Sequence, residues 1–313
     1  MNERFDEETK EFLGALDPST AKLYRNGLVA FQKFYGKQGT IKDFLDRMDE
    51  DVQRPRNERQ RVGRTTLKEF IKWLKAQSYA PKTVRTYVAA VQSEARYFDI
   101  ALSTRYTNMP SGKPVSKKEP WTLESVTKFI GAMKKPLYRS IAVTVFQSGL
   151  SLSDLLALTY GDIKTEYEAG IVPLCLDLSR IKTDVPFMSF IGGWGIRTLK
   201  EHLSGVALAL KPEDRLYNIS ESSIERYFKR QAKKFGVGEY EGNNPMRPHT
   251  LRSAFKTLLS DKKVDPLYTE FWMGHRVAEQ QRVYVSKSRE GWRQTYREQA
   301  EPILTPPSIG GKK

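Results

Sequence analysis

Three short spacings in the last quarter of the chain bring together residue types that handle phosphates. His249 stands three residues before Arg252, Gly274 directly precedes His275, and Tyr284 follows His275 by nine residues. An arginine offers a phosphate two parallel hydrogen bonds from a planar fork that stays charged. Histidine titrates near neutrality, so it can donate to an oxygen or move a proton. A tyrosine hydroxyl can attack and hold a covalent intermediate when donors are in place for the developing charge. Taken singly, each element is weak. A His-x-x-Arg pair arises often by chance, and Tyr284 is one of 15 tyrosines. The chain has only three histidines, however, and two of them fall in this block. The third, His202, lies beside Leu199 and Leu203 and reads as structural.

Amphipathic helices must position most of these groups. Tyr24, Leu28, Phe31 and Tyr35 recur at helical spacing between Asp17-Pro18-Ser19-Thr20 and Gly36. Leu67, Phe70, Ile71 and Leu74 mark a second helix, and Val84, Tyr87, Val88, Val91 and Ala95 a third that opens after Pro81. The first hundred residues therefore read as all-helical. Residues 109–119 hold two prolines, a glycine and three lysines without apolar periodicity, which is linker chemistry. Beyond them, helices are expected around Val126–Met133, Ile141–Gln147, Ile196–Leu203, Ser222–Phe235 and Leu251–Leu259. Between Ile171 and Phe190 the period changes to two: Leu174, Leu176 and Leu178 alternate with Cys175, Asp177 and Ser179, and Val185–Phe190 follows a Lys-Thr-Asp turn. That pattern predicts a β-hairpin. The fold class is mainly α with a small β-sheet. Its domains are 1–108 (helical), 109–119 (linker), 120–300 (helical with the hairpin) and 301–313 (tail).

The charge narrows the partner. Among 313 residues, 52 Lys and Arg oppose 37 Asp and Glu, leaving a formal net charge of +15. With 39% hydrophobic and 28% charged residues, the chain is globular rather than disordered, collagenous or coiled-coil. A surplus of that sign points to a polyanion, either nucleic acid or an anionic membrane surface. Cys175 is the single cysteine, which excludes an internal disulfide and a Cys-based zinc site and suits a reducing cytoplasm. No apolar signal region opens the chain and no run approaches a membrane span. The expectation is a soluble intracellular protein.

The stretch from Arg247 to Tyr284 resembles the C-terminal catalytic block of the tyrosine recombinases, the integrase family, in its phage-type or archaeal-type form. The resemblance assigns His249, Arg252, His275 and Tyr284 to that family's active site. It adds Lys182, at the turn of the hairpin, as the acid for the leaving 5′ oxygen. It implies a helical core-binding domain ahead of an α/β catalytic domain that together clamp double-stranded DNA. It further implies strand cleavage and rejoining through a 3′-phosphotyrosine at Tyr284, with no cofactor and no metal, by a homo-oligomer of two to four protomers on DNA. Location would be cytoplasmic, on the nucleoid. The closing helix of the family corresponds to Trp292–Leu304.

Within this frame, basic residues become phosphate contacts: Lys22, Arg25, Lys82 and Arg85 in the first block, and Arg226, Lys229, Arg230 and Lys233 on the Ser222–Phe235 helix. Such contacts give affinity and register, not sequence readout. One departure stands out. The family carries a phosphate-binding arginine after a Gly-Leu pair, whereas this chain reads Gly149-Leu150-Ser151. Ser151 therefore leaves three alternatives: another cation, such as Arg180, Arg139 or Arg276, supplies the contact; the enzyme is slow; or the fold only binds DNA. A type IB topoisomerase shares the nucleophile logic.

Overall fold

The computed structural model describes residues 5–111, 121–204, 209–235, 246–277 and 287–307. Tyr284 and most of the linker stretch lie outside them. The chain divides into two compact units, residues 1–117 and 118–313. Among the described residues it is helical apart from one hairpin and an isolated bridge, as the periodicities predict.

In the first unit, helices α1 (Glu7–Gly14), α2 (Pro18–Tyr35), α3 (Ile41–Gln53), α4 (Val62–Ala76) and α5 (Pro81–Tyr97) surround an aromatic core. The starts are chemically marked. Asp17 caps α2 ahead of Pro18, and Thr40 and Asp43 form a reciprocal capping box at α3. Phe31, from the α2 stripe, meets Phe44 of α3 at 4.9 Å and Phe70 of α4 edge-on at 5.1 Å. A Cβ at Gly27 would come within 2.9 Å of the Ala90 Cβ, so glycine is what lets α2 lie this close to α5. With those faces buried, Lys22 and Arg25 of α2 and Lys82 and Arg85 of α5 are left exposed.

The second unit is built around α7 (Pro136–Ser148), which is buried without interruption from Ser140 to Ser148. Around it are α6 (Leu123–Gly131), α8 (Leu152–Ala157), α9 (Lys164–Glu168), α10 (Gly193–Leu203), α11 (Glu221–Phe235), α12 (Pro248–Asp261), α13 (Pro266–Trp272), α14 (Arg289–Gln299) and α15 (Glu301–Leu304). Strands β1 (Leu174–Ser179) and β2 (Pro186–Ile191) pair antiparallel, from Leu174 opposite Ile191 to Ser179 opposite Pro186. The hairpin is thus where alternation places it, and Cys175 is core, its thiol pushed up to about 12 by burial and by Glu166.

The C-terminal end of α7 is pinned from several sides. Ser189 Oγ of β2 donates to the Ser148 carbonyl at 2.5 Å, and Tyr296 Oη of α14 to the Gln147 carbonyl at 2.8 Å. Gln147 Oε1 accepts from Gly195 N of α10 at 2.8 Å. These bonds replace the solvation that a buried helix end would otherwise lose. Residues Trp292–Leu304, read as one closing helix, are two: the backbone breaks at Ala300, ahead of Pro302. The start of the expected tail, Glu301–Leu304, is the short α15. It packs on its own unit, with Glu301 Oε1 accepting from Gly193 N at 2.7 Å and Leu304 buried. His202 is structural as expected, with Nε2 3.0 Å from the Leu216 carbonyl and its ring stacked on Tyr217.

Candidate active site

Arg252 lies one turn into α12 and is 4% exposed, which is unusual for a guanidinium. Three acceptors make its burial tolerable. Nη1 donates to the Gly149 carbonyl; Nη2 donates to the Met273 carbonyl at 2.9 Å and to His275 Nε2 at 2.8 Å. The two carbonyls sit just past the C-terminal ends of α7 and α13, where the helix dipoles are negative. Both depend on a left-handed residue. Gly149 has φ 66° and Gly274 has φ 66°; a Cβ would meet the Phe255 ring at 2.7 Å in the first case and the Phe187 ring at 3.0 Å in the second. Burial, aided by neighbouring Arg180 and opposed by Asp154 and Glu270, lowers Arg252 to about 10, so it stays charged at neutral pH.

His275 is placed by the same turn. Its N–H bonds the Glu270 carbonyl at 2.9 Å while Gly274 N bonds the Phe271 carbonyl at 2.9 Å, the two bonds of a Schellman motif closing α13. Folding the chain back this way sets the imidazole against the Glu270 carboxylate. Nδ1 contacts Glu270 Oε2, and Lys256 Nζ holds the other oxygen, Oε1. Because Nε2 accepts from Arg252, the ring proton belongs on Nδ1, pointing at Glu270. Burial alone would raise the Glu270 carboxyl, but Lys256 and His275 overrule it and hold it below the ordinary carboxylate range. The stability this gives is present above that ordinary range and lost as pH falls through the lowered value. Glu270 does not stand out in the sequence by type or motif. Its signal is positional, since the residue five before the histidine of a Gly-His pair is the one a Schellman turn brings under that histidine.

Ser151 is the N-cap of α8. Its Oγ accepts from Asp154 N at 3.3 Å and donates to Asp154 Oδ2 at 2.5 Å. The other oxygen, Oδ1, accepts from Ile181 N at 3.1 Å, which ties the hairpin loop to this helix start. Arg180, first residue of that loop, donates from Nη1 to the Met273 carbonyl at 2.8 Å, the oxygen that Arg252 also uses. Arg139 donates to the Met133 carbonyl and pairs with Glu201 at 2.9 Å, and Arg276 is exposed just beyond His275.

A model of the phage integrase family matches residues 122–290. The chain belongs to the phage integrase family. Among curated proteins it is similar to the tyrosine recombinase XerA of Saccharolobus solfataricus, 22% identical over 293 residues, 89% of this chain and 93% of that protein. Among solved structures, its fold is similar to a lambda integrase dimer bound to a COC′ core site, with TM-score 0.57 and 16% identity over 91% of this chain and 96% of the other. It is similar also to the XerH site-specific recombinase bound to a palindromic difH substrate in a post-cleavage complex, with TM-score 0.57 and 16% identity over 89% and 79%.

In this integrase, the structure brings Arg252 and His275 into direct contact. His249 is exposed on the first turn of the same helix, and Lys182 is exposed at the tip of the loop between β1 and β2. Tyr284 falls outside the described residues. Arg226, Lys229, Arg230 and Lys233 all lie on the exposed side of α11, opposite buried Ile224, Phe228 and Ala232. No helix among the described residues is long and apolar enough to cross a membrane.

Proposed function

We propose that this chain cuts and rejoins double-stranded DNA at specific sites, as a tyrosine recombinase. The observation that carries the reading is the buried Arg252, held on two helix-end carbonyls and on His275 in a member of the phage integrase family. In the reaction, Tyr284 Oη gives up its proton to solvent and attacks a backbone phosphorus. The P–O5′ bond breaks as the 3′-phosphotyrosine forms, and Lys182 protonates the departing 5′ oxygen. Arg252 stabilises the charge on the non-bridging oxygens, with His275 holding its guanidinium and His249 donating from the mouth of α12. A free 5′ hydroxyl then attacks the phosphotyrosine, restoring a phosphodiester and the tyrosine. No step calls on a metal or cofactor.

The exposed cations on α2, α5 and α11 contact backbone phosphates of the duplex. Two to four protomers act together on paired sites, in keeping with the DNA-bound dimer of lambda integrase. Working on chromosomal or phage DNA places the protein in the cytoplasm, on the nucleoid. A nicked suicide duplex carrying the cognate site tests the reading: a covalent protein–DNA complex is expected on a denaturing gel. Its absence with cognate DNA that the protein binds would favour a fold kept for binding alone, the reading that Ser151 motivates.

Glu270 is a positioning residue in this scheme, since it fixes the His275 tautomer. Glu270→Gln is expected to lower single-turnover cleavage about tenfold or more while leaving duplex affinity unchanged. An unchanged cleavage rate would show that the imidazole is oriented by Arg252 without it.

A further inference from the structure

Resting on the cleavage reading above, we propose that Arg180 supplies the second guanidinium at the scissile phosphate, the contact that Ser151 cannot make. Three observations converge on it. First, Arg180 and Arg252 donate to one carbonyl oxygen, that of Met273, at 2.8 and 2.9 Å. Two forks anchored on one atom are within reach of the two non-bridging oxygens of a single phosphodiester. Second, among the described residues neither arginine has a carboxylate partner. Asp154 and Glu270, the acids whose fields Arg252 feels, are bonded elsewhere, the first to Ser151 and Ile181 and the second to Lys256 and His275. Two like charges facing each other, neither of them in an ion pair, make a place for an anion.

Third, the loop that carries Arg180 is built to hold it there. The Arg180 backbone exchanges bonds across the loop, its N–H to Val185 at 2.9 Å and its carbonyl from Asp184 at 2.7 Å. The next residue is fixed to Asp154, which Ser151 caps. Ser151 thus has a positive role: its hydroxyl orients the acid that anchors the loop. An arginine there would remove the cap. Arg139, occupied by Met133 and Glu201, does not compete for the role.

The test compares full-length wild type with Arg180→Ala in single-turnover cleavage of the nicked suicide duplex, with duplex affinity and thermal melting measured alongside. Loss of a transition-state donor predicts a fall on the order of 100- to 1,000-fold in rate, with affinity changed less than about threefold. A rate for Arg180→Ala within about threefold of wild type overturns the proposal while leaving the recombinase reading intact. If Arg180→Ala melts early, Arg180→Lys is read instead: it keeps the charge and loses the fork, so about tenfold slower cleavage is expected and an unchanged rate overturns the proposal. Should wild type itself form no covalent complex, the recombinase reading fails and this assignment falls with it.

Discussion

Arg252→Ala is expected to slow DNA cleavage by about 1,000-fold and also to destabilise the second unit by about 3 kcal/mol. The two effects have separate origins. The first comes from removing a buried positive charge beside the phosphate. The second comes from what the side chain leaves behind: the Gly149 carbonyl and His275 Nε2 lose the donor they accept from in the folded chain, while the Met273 carbonyl keeps only Arg180. Buried acceptors without donors are penalised whether or not DNA is present. Single-turnover cleavage and thermal melting of the same preparation separate the two, and Arg252→Lys sharpens the contrast. Lysine keeps the positive charge but cannot span both carbonyls and the imidazole, so most of the cleavage loss is expected to persist with a smaller drop in stability. A variant that melts early yet cleaves at the wild-type rate would remove Arg252 from the reaction.

Duplex affinity is expected to fall by about 1,000-fold or more between 50 and 200 mM salt. The net charge of +15 is the starting point, and the structure shows where part of it faces solvent. Lys22 and Arg25 on α2, Lys82 and Arg85 on α5, and Arg226, Lys229, Arg230 and Lys233 on α11 are exposed on faces opposite buried stripes. Each phosphate neutralised releases condensed counterions, so the logarithm of affinity should fall linearly with the logarithm of salt. Neutralising the four α11 cations to glutamine is expected to flatten the slope by about 1 for every phosphate the helix no longer engages, without changing which sequence is preferred. A salt-insensitive affinity would contradict a duplex held by its phosphates.

Much of the fold is legible in the sequence because its elements obey strong local rules. The stripes of α2, α4 and α5, the Pro starts of α5 and α12, and the alternation of β1 all sit where their periods place them. Helix α3 is harder to see although Ile41, Phe44, Leu45 and Met48 have helical spacing, because Asp43, Asp46, Asp49, Glu50 and Asp51 dilute the stripe. The break at Ala300 is hidden for the opposite reason: apolar Ile303 and Leu304 prolong a pattern that Pro302 and the Glu301 bond to Gly193 interrupt.

The candidate site is legible in its side chains and not in its backbone. His249, Arg252 and His275 stand out by type and spacing, whereas the Gly149 and Met273 carbonyls that hold Arg252 carry no side-chain signal. They become visible once Gly149 and Gly274 are seen to adopt left-handed conformations at helix ends. The link between Arg180 and Arg252 depends on a loop and a turn 93 residues apart in sequence meeting at one oxygen, that of Met273. Periodicity alone does not encode such long-range contacts.

During the reaction DNA is expected to become covalently joined to Tyr284. Wild-type protein trapped on a suicide duplex, digested with trypsin and nuclease, should yield the peptide Val283–Lys287 bearing a nucleotide on its tyrosine, since cleavage after Arg282 and Lys287 releases that segment. Mass spectrometry of the digest would read it directly, and Tyr284→Phe should give no adduct while still binding the duplex. A nucleotide on any other of the 15 tyrosines, or an adduct that survives Tyr284→Phe, would contradict the account.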